Sequence, residues 1–210
     1  MKNKNINTLV KISFLGAISF VIMMFSFKLP IFPSFLEIDL SDIPALIGAF
    51  ALGPVEGVII ELLKNILNGA ITGSKTMWIG ELANFLVGSA FVFTSGYIYK
   101  RHKSKKNAIF GMILGNIAMT ITAALFNYFI LIPFYATAGG FGLQAIIDMA
   151  KAINPKVTDL KTLIIWSIVP FNILKGIVIA VITTPLYKGL SPVLHKNTDF
   201  SAKKEKYNEI

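Results

Sequence analysis

The sequence contains no cysteine and only two histidines among its 210 residues. The absence of cysteine excludes disulfides, cysteine-ligated zinc and iron–sulfur clusters. Both histidines, His102 and His195, lie in basic, polar stretches outside the apolar runs. Histidine-ligated metal catalysis within the apolar segments is therefore not expected, and we predict no metal site.

Charged residues are also scarce, which argues against an ordinary soluble domain. Only 15% of the residues are charged, whereas 54% are hydrophobic and seventeen are phenylalanine. This is more apolar side chain than one soluble core of this size needs. The formal charge of +9 comes from basic clusters between long apolar runs, and not from a basic helix face with base-stacking aromatics. We therefore predict an integral membrane protein that does not bind nucleic acid.

The apolar runs set the expected number of membrane spans. A helix needs roughly 20 residues to cross about 30 Å of hydrocarbon. The first run follows a basic start but has no small-residue cleavage pattern after it, so we interpret it as an uncleaved span. The runs occupy residues 9–27, 43–52, 54–72, 77–99, 108–136 and 162–187.

The sequence Gly53-Pro54 separates the second run from the third, because proline removes a helix hydrogen bond and disfavours helix at the preceding residue. Basic residues mark the cytoplasmic side. They cluster at the N-terminus, in KRHKSKK at 100–106 and after residue 187. These clusters face one side only if residues 43–72 form two helices. We therefore predict an all-α membrane protein with six transmembrane helices, a short second helix and both termini inside.

A long outer segment is predicted after the first helix, at residues 28–41. It carries Glu37 and Asp39 among apolar residues, which suggests a loop that folds back onto the bundle. At its end, Ser41 or Asp42 is suited to cap the first amides of the second helix, where acidic side chains are favoured.

A second long outer segment is predicted after the fifth helix, at residues 137–161. Within it, LQAIIDMAKAI has the spacing of a helix that lies at the membrane interface. The chain shows no internal repeat. We assign residues 1–195 to a single six-helix transmembrane domain and residues 196–210 to a polar, disordered cytoplasmic tail.

Ionisable and amide side chains inside the runs cost about 2.5–3.5 kcal/mol each on insertion scales, so each needs a partner or a function. Glu61 and Lys64 stand three residues apart and can neutralise each other on one helix face. Lys175 has no acid within a turn of its own helix, so it either pairs with an acid on another helix or faces a polar cavity. Asn127 either joins helices or contacts a ligand. The residues alone leave these alternatives open.

Catalytic patterns are lacking. GAITGSKT at 69–76 does not have the spacing of a phosphate-binding loop, and GGFG at 139–142 has no dinucleotide-binding unit after it. Serines in the apolar runs have no histidine to pair with there. We predict a binding protein and not an enzyme. A hydrophobic bundle with a few convergent amides and one lysine suits a flat apolar ligand with a polar edge.

Four stretches resemble one known family: FLEIDLSDIPALIGAFALGPVEGVIIELLKNIL, ELANFLVGSAFVF, ALFNYFILIPFY and PFNILKGI. Together they are similar to the riboflavin-specific substrate-binding (S) component of energy-coupling factor (ECF) transporters, over residues 12–190. The resemblance implies a bacterial plasma-membrane protein that captures riboflavin from outside as a transported substrate and not as a cofactor. It also implies a transmembrane coupling subunit and two cytoplasmic ATPase subunits as partners.

The resemblance also implies which residues bind the substrate. An asparagine and a lysine of the family bond the isoalloxazine ring, and they match Asn127 and Lys175. The outer loop closes the pocket in the family, and two further amides are added from their position alone. The substrate-binding candidates are Asn127, Lys175, Phe35, Leu36, Glu37, Asp39, Asn84 and Asn65.

Docking to the coupling subunit uses two small residues four apart on the first helix in such families. Ser13 and Ala17 match this spacing, and Gly16 is expected to widen the same face. Two alternatives to a riboflavin S component remain. One is an S component for another vitamin such as thiamine. The other is a stand-alone secondary transporter driven by ions through Glu61, Glu81 and Lys175.

Overall fold

The computed structural model describes residues 2–74, 76–140 and 142–207, with side chains described for residues 6–74, 76–140, 142–187 and 189. Within these ranges the chain is mostly helical. The α-helices are α1 (Lys2–Met23), α2 (Asp42–Ala51), α3 (Pro54–Leu67), α4 (Ile79–Arg101), α5 (Lys105–Phe126), α6 (Ile132–Thr137), α7 (Leu143–Lys151), α8 (Leu160–Leu163) and α9 (Val169–Tyr207). Three π-helical segments adjoin them: Asn68–Gly73, Asn127–Leu131 and Ile164–Ile168.

In the described part of the chain, four continuous helices are long and apolar enough to cross a membrane: Ile6–Met23, Ile79–Arg101, Lys105–Thr137 and Leu160–Tyr187. The last two each join two α-helices through a π segment. With α2, α3 and α7, the described residues form seven continuous helical stretches, one more than the six of the predicted fold class. The additional helix is α7, which lies in the second outer segment. The sequence predicts a helix there, at the membrane interface, but does not include it among the six transmembrane helices.

The helix α2 occupies the centre of the bundle. Nine of its ten residues, Asp42 through Phe50, are buried. A helix that is apolar all round and covered on every side is a core helix and does not need the length of a lipid-facing one. Its neighbours are α1, α3, α4 and α9. This central position explains why the second apolar run is so short.

The break between α2 and α3 falls where the sequence predicts it. Gly53 adopts φ 146° and ψ 164°, a conformation open to glycine but not to residues with a side chain. Pro54 follows as the first residue of α3, where its missing N–H leaves no hydrogen bond unmade. The chain therefore reverses within two residues.

Two of the π segments end two residues before a proline. The N–H of Ile132 bonds the carbonyl of Asn127, ahead of Pro133, and the N–H of Val169 bonds the carbonyl of Ile164, ahead of Pro170. Proline has no N–H and crowds the carbonyl four residues back, so the α pattern cannot continue unchanged through it. A wider turn accommodates this in both helices.

The buried apolar residues form two clusters. The larger one joins α1 to α5 with α9, around residues such as Leu46, Phe91 and Met119. The second joins the end of α5 with α6, α7 and the start of the last long helix, around Ile147 and Leu163. Many large apolar side chains on the outer faces of the long helices are exposed, as expected of surfaces that contact lipid.

The first outer segment forms a short antiparallel hairpin. Strand β1 (Phe27–Lys28) pairs with β2 (Glu37–Ile38), with Phe27 opposite Ile38. The segment between the strands turns back onto the bundle, where the ring of Phe32 meets the ring of Phe171 edge-on with centroids 5.3 Å apart. The predicted folding back of this loop is present in the structure.

The helix α9 extends to Tyr207 and includes residues 196–207 of the predicted tail. The side chains beyond residue 189 and the backbone of 208–210 lie outside the described residues. The division of the chain at residue 195 stays a prediction.

Candidate ligand-binding site

A cluster of five buried ionisable side chains lies where the first outer segment meets the bundle. The carboxylate of Asp39 contacts the ammonium of Lys175 at 2.9 Å, and Asp42 contacts it through Oδ2 at 3.2 Å. The ammonium of Lys64 contacts Glu61 at 2.8 Å and also the Oδ1 atom of Asp42. Each of these five residues is at most 7% exposed. Buried charges persist when they are paired in this way.

The contacts test the predictions made for Lys64 and Lys175. The ion pair of Glu61 and Lys64 is present as the i, i+3 spacing predicts. Lys175 has acidic partners from outside its own helix, as one of the two alternatives proposed. A contact of Lys175 with a ligand stays a prediction.

Asp39 is fixed by the residues that follow it. Its Oδ1 accepts hydrogen bonds from the backbone N–H of Ser41, at 3.0 Å, and from the Ser41 hydroxyl. Burial alone raises the pKa of Asp39, but the ammonium groups of Lys175 and Lys64 and the Ser41 bonds outweigh it. The net pKa of Asp39 lies well below its ordinary value, so the carboxylate stays charged.

The expected capping of α2 is wrong. Ser41 is the residue before the first turn, but neither its side chain nor any other caps the helix. The Ser41 hydroxyl accepts a hydrogen bond from Lys64 at 2.9 Å, and the carboxylate of Asp42 is committed to the two lysines. Hydrogen bonds to a charged ammonium group are stronger than those to the unpaired backbone N–H groups at the start of a helix, so these side chains bind the lysines instead.

The buried amides share one arrangement. The side-chain nitrogens of Asn65, Asn127 and Asn172 each donate to the carbonyl four residues earlier, at 2.8 Å. This bond fixes each amide and turns its oxygen away from its own helix. The oxygens of Asn65 and Asn84 are buried and have no hydrogen-bond partner among the described residues. Such atoms can accept a hydrogen bond from a ligand.

The substrate-binding candidates in the first outer segment differ in how deeply their side chains are buried. Leu36 is half-buried and packs against the second apolar cluster, whereas Phe35 is 38% exposed. Glu37 lies at the surface, where it accepts a bond from Ser26 at 2.6 Å and contacts Lys28 at 3.6 Å. Of the two acids in this loop, only Asp39 reaches the buried cluster.

Asn65 also lines a cavity of about 320 Å³ between α3 and α4. Glu81, another lining residue, accepts hydrogen bonds from Ser74 and Thr76 at 2.8 and 2.9 Å. The remaining walls are apolar, including Leu62, Ile66, Trp78, Ile79 and Phe85. Asn65 therefore lines a cavity that is separate from the charged cluster. Asn84, the other predicted amide, does not line this cavity.

The predicted docking residues do not share one face. Ser13 and Ala17 are exposed on α1, with Phe14 between them. Gly16 is buried, and a Cβ atom there would lie 3.2 Å from the Cβ of Leu63. Gly16 therefore packs against α3 inside the bundle and does not widen the exposed surface.

Sequence reasoning missed the role of Asp42, which it explained by helix capping. No periodicity could reveal its contact with Lys175, because the two residues are far apart in the chain. Asn172 was not named as a site residue either. It is buried three residues before Lys175 on the same helix, a spacing that places both on one face.

A family model for the ECF transporter substrate-specific component matches residues 7–187 of the chain. The chain is 39% identical over 188 residues to the riboflavin transporter RibU of Staphylococcus aureus (strain TCH60), covering 90% of this chain and 92% of that protein. It is 35% identical over 188 residues to the riboflavin transporter FmnP of Bacillus subtilis (strain 168), covering 89% and 93%.

A solved structure of the S component of a bacterial ECF transporter has a similar fold. It matches with a TM-score of 0.70 and 37% identity, covering 92% of this chain and 99% of that one. The family match spans most of the chain, and the relatives match along nearly their whole length. The chain belongs to the substrate-specific (S) components of ECF transporters.

Proposed function

We propose that this chain is the riboflavin-binding S component of an ECF-type vitamin transporter. The observation that carries the proposal is the match over nine-tenths of the chain to proteins named riboflavin transporters. The buried amides and Lys175 beneath the outer loop support it, since they provide a few polar groups within apolar walls. Sites of this kind bind flat ligands that have a polar edge.

Asn127 and Lys175 are proposed to bond the pyrimidine edge of the isoalloxazine ring, which alternates carbonyls and ring nitrogens. Phe35 and Leu36 are proposed to close the pocket from the outer loop. Asn84 and Asn65 add amide oxygens without protein partners. Glu37 remains a candidate for the ribityl hydroxyls from the surface of the loop. Riboflavin is the transported substrate in this proposal.

The proposal includes a plasma-membrane topology of six spans with both termini in the cytoplasm. It is supported by the basic clusters at the inner ends and by the four long apolar helices. A transmembrane coupling subunit would contact α1 through the exposed Ser13 and Ala17. Two cytoplasmic ATPase subunits would supply the energy. Gly16 is left out of this surface because it is buried against Leu63.

Titration of the purified full-length chain with riboflavin tests the proposal. We expect stoichiometric quenching of flavin fluorescence, and the same experiment with thiamine in competition should leave the quenching unchanged. Displacement of riboflavin by thiamine would favour an S component for that vitamin. Absence of flavin binding by a folded preparation would contradict the proposal.

A further inference from the structure

We propose that Asp39 and Asp42 act on the substrate through Lys175. They form a two-point carboxylate clamp that keeps this ammonium charged inside the bundle and directs it toward the flavin ring. The inference rests on the proposed function, because it assumes that Lys175 contacts the ring. It assigns Asp39 and Asp42 as positioning residues, so Asp39, named above as a substrate-binding candidate, acts on the substrate indirectly.

The geometry of Lys175 carries the first step. An ammonium group has three N–H donors. One donates to Oδ2 of Asp39 at 2.9 Å, and Oδ2 of Asp42 lies 3.2 Å from the nitrogen. Two carboxylates therefore contact the group, and at least one donor stays available for a ligand. Without them, a lysine at 7% exposure would be an uncompensated buried charge.

The two arms of the clamp come from different elements. Asp39 belongs to the connection between β2 and α2, and Ser41 fixes its other oxygen. Asp42 is the first residue of α2, and Lys64 holds its Oδ1, which leaves Oδ2 for Lys175. The position of the ammonium is thus set by the end of the outer loop and by the central helix together.

The charges around the clamp come from four elements. Asp39, Asp42 and Glu61 supply three acidic side chains, whereas Lys64 and Lys175 supply two basic ones, and the two acids that contact Lys175 are Asp39 and Asp42. The surrounding helix α4 adds no charge at this point. It presents Gly88, where a Cβ atom would come within 2.5 Å of Oε2 of Glu61 and 3.3 Å of Oδ1 of Asp42. The ammonium of Lys175 is therefore neutralised by the protein, so the ligand need not be an anion.

The test measures flavin affinity for Asp39→Asn, Lys175→Met and the double variant, with two ligands. Riboflavin carries the ribityl chain, and lumiflavin has the same ring system with a methyl group in its place. We expect Asp39→Asn to weaken binding of both ligands by the same factor, about fivefold or more. In the Lys175→Met background, Asp39→Asn should change affinity by less than about twofold, because residues that act through one another are not additive.

Three results would overturn the clamp. One is an Asp39→Asn effect that stays the same size in the Lys175→Met background. Another is an effect seen with riboflavin but absent with lumiflavin, which would show direct contact of Asp39 with the ribityl chain. A third is unchanged affinity in Asp39→Asn and in Asp42→Asn. Unchanged affinity in Lys175→Met alone would instead contradict the proposed site and remove the basis of the clamp.

Asp148→Asn is the matched control, because Asp148 is an exposed aspartate of α7 that accepts a hydrogen bond from Gln144 at 2.9 Å and belongs to no proposed site. It should not change lumiflavin affinity. Thermal unfolding and gel filtration establish that each variant is folded. If Asp39→Asn fails this check, Asp42→Asn takes its place in the same cycle with the same expected outcome.

Discussion

At the scale of single residues, the two contacts proposed for the ring can be tested directly. Lys175→Ala and Asn127→Ala should each weaken riboflavin binding at least tenfold, or about 1.4 kcal/mol. Each change removes a polar group from a buried position where water cannot replace it well. Fluorescence titration of the purified variants measures the loss.

Lys156→Ala is the control for this pair, because Lys156 is an outer lysine whose ammonium lies 4.5 Å above the ring of Trp166, away from the buried cluster. Its affinity for riboflavin should equal that of the wild type. If both site variants bind as tightly as this control, the assignment of Asn127 and Lys175 is wrong.

The low pKa of Asp39 predicts the pH dependence of binding. Its ion pair with Lys175 is fully present above the ordinary aspartate pKa of about 3.9, and it is lost only as pH falls through the lower value of the folded protein. Asp39 should therefore stay charged between about pH 5 and pH 8, and its titration should cause no change in riboflavin affinity across this range. A drop in affinity across this range that disappears in Asp39→Asn would contradict the assigned charge.

The sequence predicted only those contacts of the charged cluster that join residues close together in the chain. The pair of Glu61 and Lys64 follows from helical spacing and was predicted. The contacts of Lys175 join residues more than 130 positions apart, and no local pattern encodes them. Asp42 was misjudged for the same reason, since its local position suits a helix cap while its actual partners come from other helices.

At the scale of secondary-structure elements, the turn between α2 and α3 is predicted to depend on glycine. Gly53→Ala should destabilise the protein by roughly 1–3 kcal/mol, because φ 146° is strained for a residue with a Cβ atom. The new Cβ would also lie 2.4 Å from Oε2 of Glu56. Thermal unfolding in detergent gives the measurement.

Gly189→Ala provides the comparison, because it lies within α9 and its Cβ would meet nothing within 4 Å. Alanine has the higher helix propensity, so this change should not lower the unfolding temperature. Equal unfolding temperatures for both variants would show that the turn does not require glycine.

Some boundaries of the helices follow from the pattern of residues in the sequence, and others do not. The break at Gly53-Pro54 and the helix at 143–151 follow from proline chemistry and apolar spacing. The π segments before Pro133 and Pro170 were not predicted, because a proline in a helix can be accommodated by a kink, a break or a wider turn. Packing of the neighbouring helices decides among these, and the sequence does not display it.

The exposed face of α1 carries a further prediction. Ala17→Trp should leave riboflavin binding unchanged, since Ala17 points outward, but it should abolish uptake in cells by blocking close approach of a partner helix. Ile117→Trp, on the outer face of α5 and 51% exposed, is the control and should transport normally. Normal uptake by Ala17→Trp would refute this docking face.

At the scale of the whole molecule, the proposed topology can be tested because the chain has no cysteine. A single cysteine introduced at Ser104, in the basic 100–106 stretch, should resist an impermeant maleimide added outside intact cells. One introduced at Ser34, in the exposed part of the first outer segment, should react. The reverse pattern would contradict the assigned orientation of the six spans.

The first outer segment has strands of only two residues each, so little backbone pairing holds it in place. Its attachment to the bundle depends on side-chain contacts, among them Phe32 with Phe171, Leu36 with the second apolar cluster and Asp39 with Lys175. A covering held by side chains and not by backbone pairing can lift without unfolding any helix. The dwell time of a captured vitamin would then be set by these side chains, and weakening the ring contact should speed its escape more than its entry.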